Sequence, residues 1–99
     1  MEDFETLHEL VKTDPEAAWP RVVAFIQEHP EKAEGVDLLE DFVYEHDDRF
    51  VGRIEEAALA DSRVREVVDQ AHVGGFATIG AEEFHNIQER LKALRTYEK

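Results

Sequence analysis

The chain of 99 residues has no cysteine. A disulfide framework, a thiolate metal site and a cysteine nucleophile are thereby excluded. It has one serine, Ser62, placed where a helix cap is wanted, so serine-based nucleophilic catalysis lacks its parts. Bases are scarce: 11 lysines and arginines stand against 24 acids, a net charge of −13. Phosphate contacts need clustered Lys and Arg, and direct nucleic-acid binding is therefore disfavoured. Long apolar runs are also missing. The longest stretch without Asp, Glu, Lys or Arg runs only from Gln70 to Ala81, far short of a membrane span. The opening residues, Met-Glu-Asp-Phe-Glu, are acidic where a secretion signal is basic and then apolar. These features describe a soluble cytoplasmic protein with no membrane partner.

Apolar residues make up 42% of the chain, enough for one modest core, and the expectation is a single domain over residues 1–99. They recur at helical spacing almost throughout, and no stretch alternates with period two for long. The spacing predicts a first helix from about Asp3 to Lys12, with Phe4, Leu7 and Val11 on one face. A second starts at Thr13-Asp14-Pro15-Glu16, capped either by Asp14 or by a Thr13–Glu16 capping box, and continues through Trp19, Val22, Val23 and Ile26. Pro20 follows the only tryptophan within that helix and predicts a bend or irregular turn at residues 16–20, with Trp19 as a core anchor. A third helix runs from Val36 to about Glu45 around Leu39, Phe42 and Val43. Asp47 is the expected cap of a fourth, with Phe50, Ile54, Ala57 and Ala58 inward. Asp61 or Ser62 caps a fifth, striped by Val64, Val67, Val68 and Ala71 and stopped by Gly74-Gly75. The last spans about Ala81 to Arg95, with Phe84, Ile87, Leu91 and Leu94 inward. The class is all-α: about six short antiparallel helices stacked as helical hairpins, HEAT-like or as an irregular bundle.

Candidate chemistry is thin. Glu5 with His8, and Glu82 with His85, have the Glu-x-x-His spacing of di-iron bundle proteins, but roughly one such pair arises by chance in a chain this rich in glutamate. No metal or other cofactor is expected. Residues from Asp47 onward set Gly52 correctly for a calcium loop, yet put Arg49, Val51 and Ala58 at ligand positions. Gly75 and Gly80 have phosphate-loop spacing, but Ala81 and Glu82 stand where Lys and Ser or Thr belong. The loop reads as a connection, with Phe76 and Ile79 as apolar residues available for recognition. No catalytic constellation emerges, and the chain is read as a non-enzyme.

The strongest signal is the distribution of charge. Residues 1–48 carry a net −12 and residues 49–99 only −1. The segment from Glu31 to Asp48 holds eight of the acids against Lys32 alone. Asp37, Glu40, Asp41, Glu45, Asp47 and Asp48 fall outside the Leu39–Phe42–Val43 stripe and are the candidate binding residues. Asp37, Asp41 and Glu45, four apart, form one column of like charge that costs a few tenths of a kcal/mol per pair. A basic protein surface is the partner such a face attracts. Arg49, Arg53, Arg63 and Arg65 are expected to pair with neighbouring acids, among them Glu45 four residues before Arg49.

Asp14-Pro15-Glu16-Ala17-Ala18-Trp19, then Leu38-Leu39-Glu40-Asp41-Phe42, Phe50-Val51-Gly52-Arg53-Ile54-Glu55 and Asp61-Ser62-Arg63 resemble a family of small bacterial all-helical proteins of unknown function. The resemblance covers about residues 10–70. It implies a helical fold and a bacterial or phage setting, and transfers no catalytic residue. The combined expectation is an acidic protein-interaction module, such as an immunity protein or other inhibitor of a bacterial effector. The alternatives are a nucleic-acid mimic occupying a basic groove and a helical domain without a specific partner.

Overall fold

Helix boundaries in this chain are written largely by aspartates. In the computed structural model, which describes residues 3–73 and 78–97 with side chains through Leu94, Asp3 accepts the Thr6 amide (2.8 Å) and starts α1, Phe4–Thr13. Asp14 ends α1 through its amide, bonded to the Leu10 carbonyl, and starts α2, Pro15–Glu28, by accepting the Ala17 amide (3.3 Å). Of the two caps expected here, the aspartate is the one used; the Thr13 hydroxyl donates back to the Glu9 carbonyl instead (3.1 Å). Asp61 accepts the Arg63 amide (2.9 Å) and opens α5, Ser62–Gln70. Each device satisfies an orphan N–H of a first helical turn.

The remaining elements are α3, Ala33–His46, a 3-10 turn over Asp47–Phe50, α4, Val51–Ala60, and α6, Ile79–Tyr97. The chain is thus all-helical, without a strand among the described residues. A single hydrophobic cluster runs through all six helices, as one domain requires. The central element is α3, which packs against α1, α2, α5 and α6, while α2 reaches α5 across the intervening hairpin. In a linear solenoid each unit touches only its neighbours. The arrangement therefore corresponds to the irregular bundle of the two architectures expected.

Several boundaries differ from the sequence expectation. Helix α3 begins at Ala33, before Val36, and so includes Gly35, where a Cβ would sit 3.1 Å from Ile26 Cγ1; glycine there permits the close approach to α2. Asp47 does not cap α4, which has no side-chain cap and grows directly from the 3-10 turn. Helix α5 stops at Gln70, ahead of Gly74-Gly75, and those two glycines lie outside the described residues. Ala71 and Val73 continue as buried non-helical chain. Gln88 makes this possible: buried on the inner face of α6, it donates from Nε2 to the Val68 and Ala71 carbonyls, both at 2.9 Å. Leu94, expected inside, is 39% exposed, because α6 with 19 residues outruns the 10-residue α4 and 9-residue α5 it packs against.

No irregular turn interrupts α2 at residues 16–20. Pro20 is exposed, and the one carbonyl it leaves unpaired belongs to the exposed Glu16, where water can serve it. Trp19 packs edge-on against Phe42 (centroids 5.4 Å) and near Phe50 (6.1 Å), and so anchors the core as expected. Fully buried leucine and phenylalanine side chains such as Leu38, Leu39 and Phe42 each contribute about 1.5–3 kcal/mol.

Replacing Gln88 with Leu removes the donor that the buried Ala71 carbonyl uses. A loss of about 1–3 kcal/mol is expected, read as a lower denaturant midpoint. A variant as stable as the parent would show that this bond is dispensable.

Candidate interaction surface

The six carboxylates singled out by spacing separate into two groups. Glu40 Oε2 accepts the His72 amide (2.6 Å), tying the middle of α3 to the chain that follows α5. Asp41 Oδ2 lies 2.5 Å from His8 Nδ1 and joins α3 to α1. Asp47 Oδ1 accepts the Gly80 amide (2.6 Å) at the start of α6. These three acids hold the bundle together. The side chains of Asp37, Glu45 and Asp48 are exposed, and none takes a hydrogen bond or ion pair from a described residue. The column Asp37–Asp41–Glu45 is therefore interrupted in its middle by an inward-turned aspartate, because His8 lies across the interface from it.

A half-buried Asp41 feels opposing influences. Burial pushes its carboxyl above the usual value and outweighs the bond and charge of His8, with Asp37 adding to the rise and Lys12 opposing it. His8 also stacks on Phe4 (5.6 Å), so it serves packing and a hydrogen bond to Asp41, and Glu5 takes part in neither. A second histidine joins the same two helices: His46 Nε2–H donates to the Val11 carbonyl (2.6 Å). No group of three His, Asp or Glu is placed to hold a metal ion among the described residues, and Glu82 and His85 are both exposed on α6.

The bases are drawn elsewhere. Arg49 and Arg53 both reach Glu16 on α2 (3.3 and 2.8 Å) and lie over the Phe50 ring (5.3 and 4.9 Å). Arg49 thus pairs across the bundle and not with Glu45, since the 3-10 turn takes it off the α3 helical register. Arg90 grips Glu55 through two bonds (2.7 and 2.9 Å), linking α6 to α4. Arg63 binds Asp61 and the Gln27 carbonyl, and with its amide holds the Asp61 carboxyl down at about 2.

At Asp47 the backbone takes a positive φ of 53° with ψ of −123°, a conformation that L-residues rarely adopt. Here α3 turns sharply, and α6 begins against it. A Cβ added at Gly80 would lie 2.5 Å from the Asp47 carbonyl carbon, so only glycine fits. Thr78 begins α6 by accepting the Ala81 amide (3.1 Å). Between the two helices, Val43, Tyr44, Asp47 and Thr78 line a cleft of about 340 Å³. Tyr44 is 47% exposed, and its hydroxyl donates to the His72 carbonyl (3.4 Å). Ile79 is 61% exposed beside Thr78, whereas Phe76, named with it for recognition, lies outside the described residues. Tyr44 escaped the sequence reading, although it falls beside the inward stripe and four residues after Glu40. The closure of Asp47 on Gly80 has no local sequence signal.

No protein-family model matches the chain, and neither a curated protein nor a solved structure matches it. No described helix is long and apolar enough to cross a membrane.

Two outcomes are expected. Gly80→Ala forces Asp47 and α6 apart and lowers stability by about 1–3 kcal/mol, measurable by chemical denaturation. Asp41, whose folded value is raised, favours folding below its ordinary value of 3.8, a contribution lost as pH rises through the raised value. Asp41→Asn keeps an oxygen for His8 and removes this contribution. Its stability relative to the parent should therefore improve with rising pH across that window, and a pH-independent difference would contradict the assignment.

Proposed function

We propose that this protein is a small acidic interaction module that binds a basic protein surface and catalyses no reaction. The observation that supports it best is the outward set Asp37, Glu45 and Asp48, whose side chains are exposed and bonded to no described residue, while Arg49, Arg53, Arg63 and Arg90 are spent on internal partners. An uncompensated negative face steers a cationic partner and raises its association rate. In a bacterial or phage cytoplasm this is the work of an immunity protein or another inhibitor of an effector. A nucleic-acid mimic needs rows of outward carboxylates, whereas α3 commits Glu40 and Asp41, and the turn after it Asp47, to internal bonds.

The test is the triple charge reversal Asp37→Lys, Glu45→Lys, Asp48→Lys, applied to a partner trapped by cross-linking in the native cell. Because all three side chains are exposed, the thermal midpoint should hold. Association should slow by about tenfold or more at low salt and lose most of its salt dependence. Unchanged association would remove the acidic-face reading.

A further inference from the structure

The exposed acids explain attraction but provide no specific seat. The cleft between the end of α3 and the start of α6 has the chemistry of one. Among the described residues its walls are the apolar Val43 and the half-exposed ring of Tyr44, and its polar groups are the Asp47 carboxylate and the Thr78 hydroxyl. Only Oδ1 of Asp47 is used, by the Gly80 amide; Oδ2 takes no bond from a described residue. Asp48, whose exposed side chain takes no bond from a described residue, follows directly in the chain.

We propose that this cleft receives one arginine side chain of the basic partner. The inference rests on the acidic-interaction reading and names the contact that fixes its register. An anionic ligand is repelled by Asp47 and Asp48, and a wholly apolar one would strip water from the Asp47 carboxylate without replacing its bonds. An amphipathic cation meets both demands. Its alkyl stem lies along Val43 and Tyr44 while its charged head reaches Asp47 Oδ2. Arginine suits the site better than lysine, because a planar guanidinium carries several donors and stacks on a tyrosine ring. Asp47 is held for this role by its unusual backbone and by the bond to Gly80, so the carboxylate is already oriented before a ligand arrives.

The experiment titrates the isotope-labelled full chain with N-acetyl-arginine methylamide at low salt, followed by amide chemical shifts. The uncharged isostere N-acetyl-citrulline methylamide and the lysine analogue run alongside. Shifts are expected at Val43, Tyr44, Asp47, Thr78 and Gly80, with the citrulline compound about tenfold weaker and lysine between the two. Asp47→Asn retains an oxygen for the Gly80 amide and removes the charge. It should weaken the arginine analogue about tenfold with the thermal midpoint held. Should that variant melt early, Tyr44→Leu is the second probe: it keeps an apolar wall and should weaken arginine more than lysine. Equal binding of citrulline and arginine, shifts confined to Asp37, Glu45 and Asp48, or no binding would each overturn the proposal. If the cleft fails while the triple charge reversal still slows partner association, only this inference falls. If both fail, the acidic-interaction reading falls with it.

Discussion

Helix α3 has to bury apolar side chains against neighbours on several sides while carrying the densest negative charge of the chain. Leu38, Leu39 and Phe42 are fully buried and Val43 nearly so, packed among α1, α2, α5 and α6. Interspersed on the same 14 residues are Glu34, Asp37, Glu40, Asp41 and Glu45. The competition is one-sided. Each buried leucine or phenylalanine is worth about 1.5–3 kcal/mol, against a few tenths for a like-charge pair at helical spacing. Burial therefore sets the rotation of α3, and the carboxylates take whatever positions remain.

Those positions give the acids unequal work. Asp3, Asp14 and Asp61 start helices, Glu40 accepts an amide from the chain after α5, and Asp47 accepts one at the start of α6. A carboxylate is a strong acceptor with no donor requirement, so it suits backbone N–H groups that have lost their helical partner. Part of the net −13 is thus the chemistry of closing short helices. What is left for a partner is smaller and better defined: Asp37, Glu45 and Asp48 on the outside, and the second oxygen of Asp47 in the cleft.

The α1 helix shows the same economy. Its apolar contacts, Leu7 and Val11, are fully buried, and two histidines complete its attachment to α3. His8 meets Asp41, and His46 reaches the Val11 carbonyl. His8, which resembles a metal ligand by its spacing from Glu5, acts here as a bridge between helices, because an imidazole with an apolar face and polar edges can sit at a half-buried boundary.

The existence of the helices, and the starts that Asp14 and Asp61 cap, were legible from sequence alone, because their causes are local. Periodicity names the inward face, and a cap at Asp3, Asp14 or Asp61 acts on an amide two or three residues away. The candidate surface was legible only as a group of acids on one segment. Which of them face outward depends on residues about thirty or more positions distant: His8 for Asp41, His72 for Glu40 and Gly80 for Asp47. The same holds for Arg49 and Arg53 meeting at Glu16, and, over 17 to 20 positions, for Gln88 serving the end of α5. Sequence by itself determined six amphipathic helices and an acidic character. Tertiary packing decided which acids are structural and which are free, because only the burial of the core brings those distant partners within bonding distance.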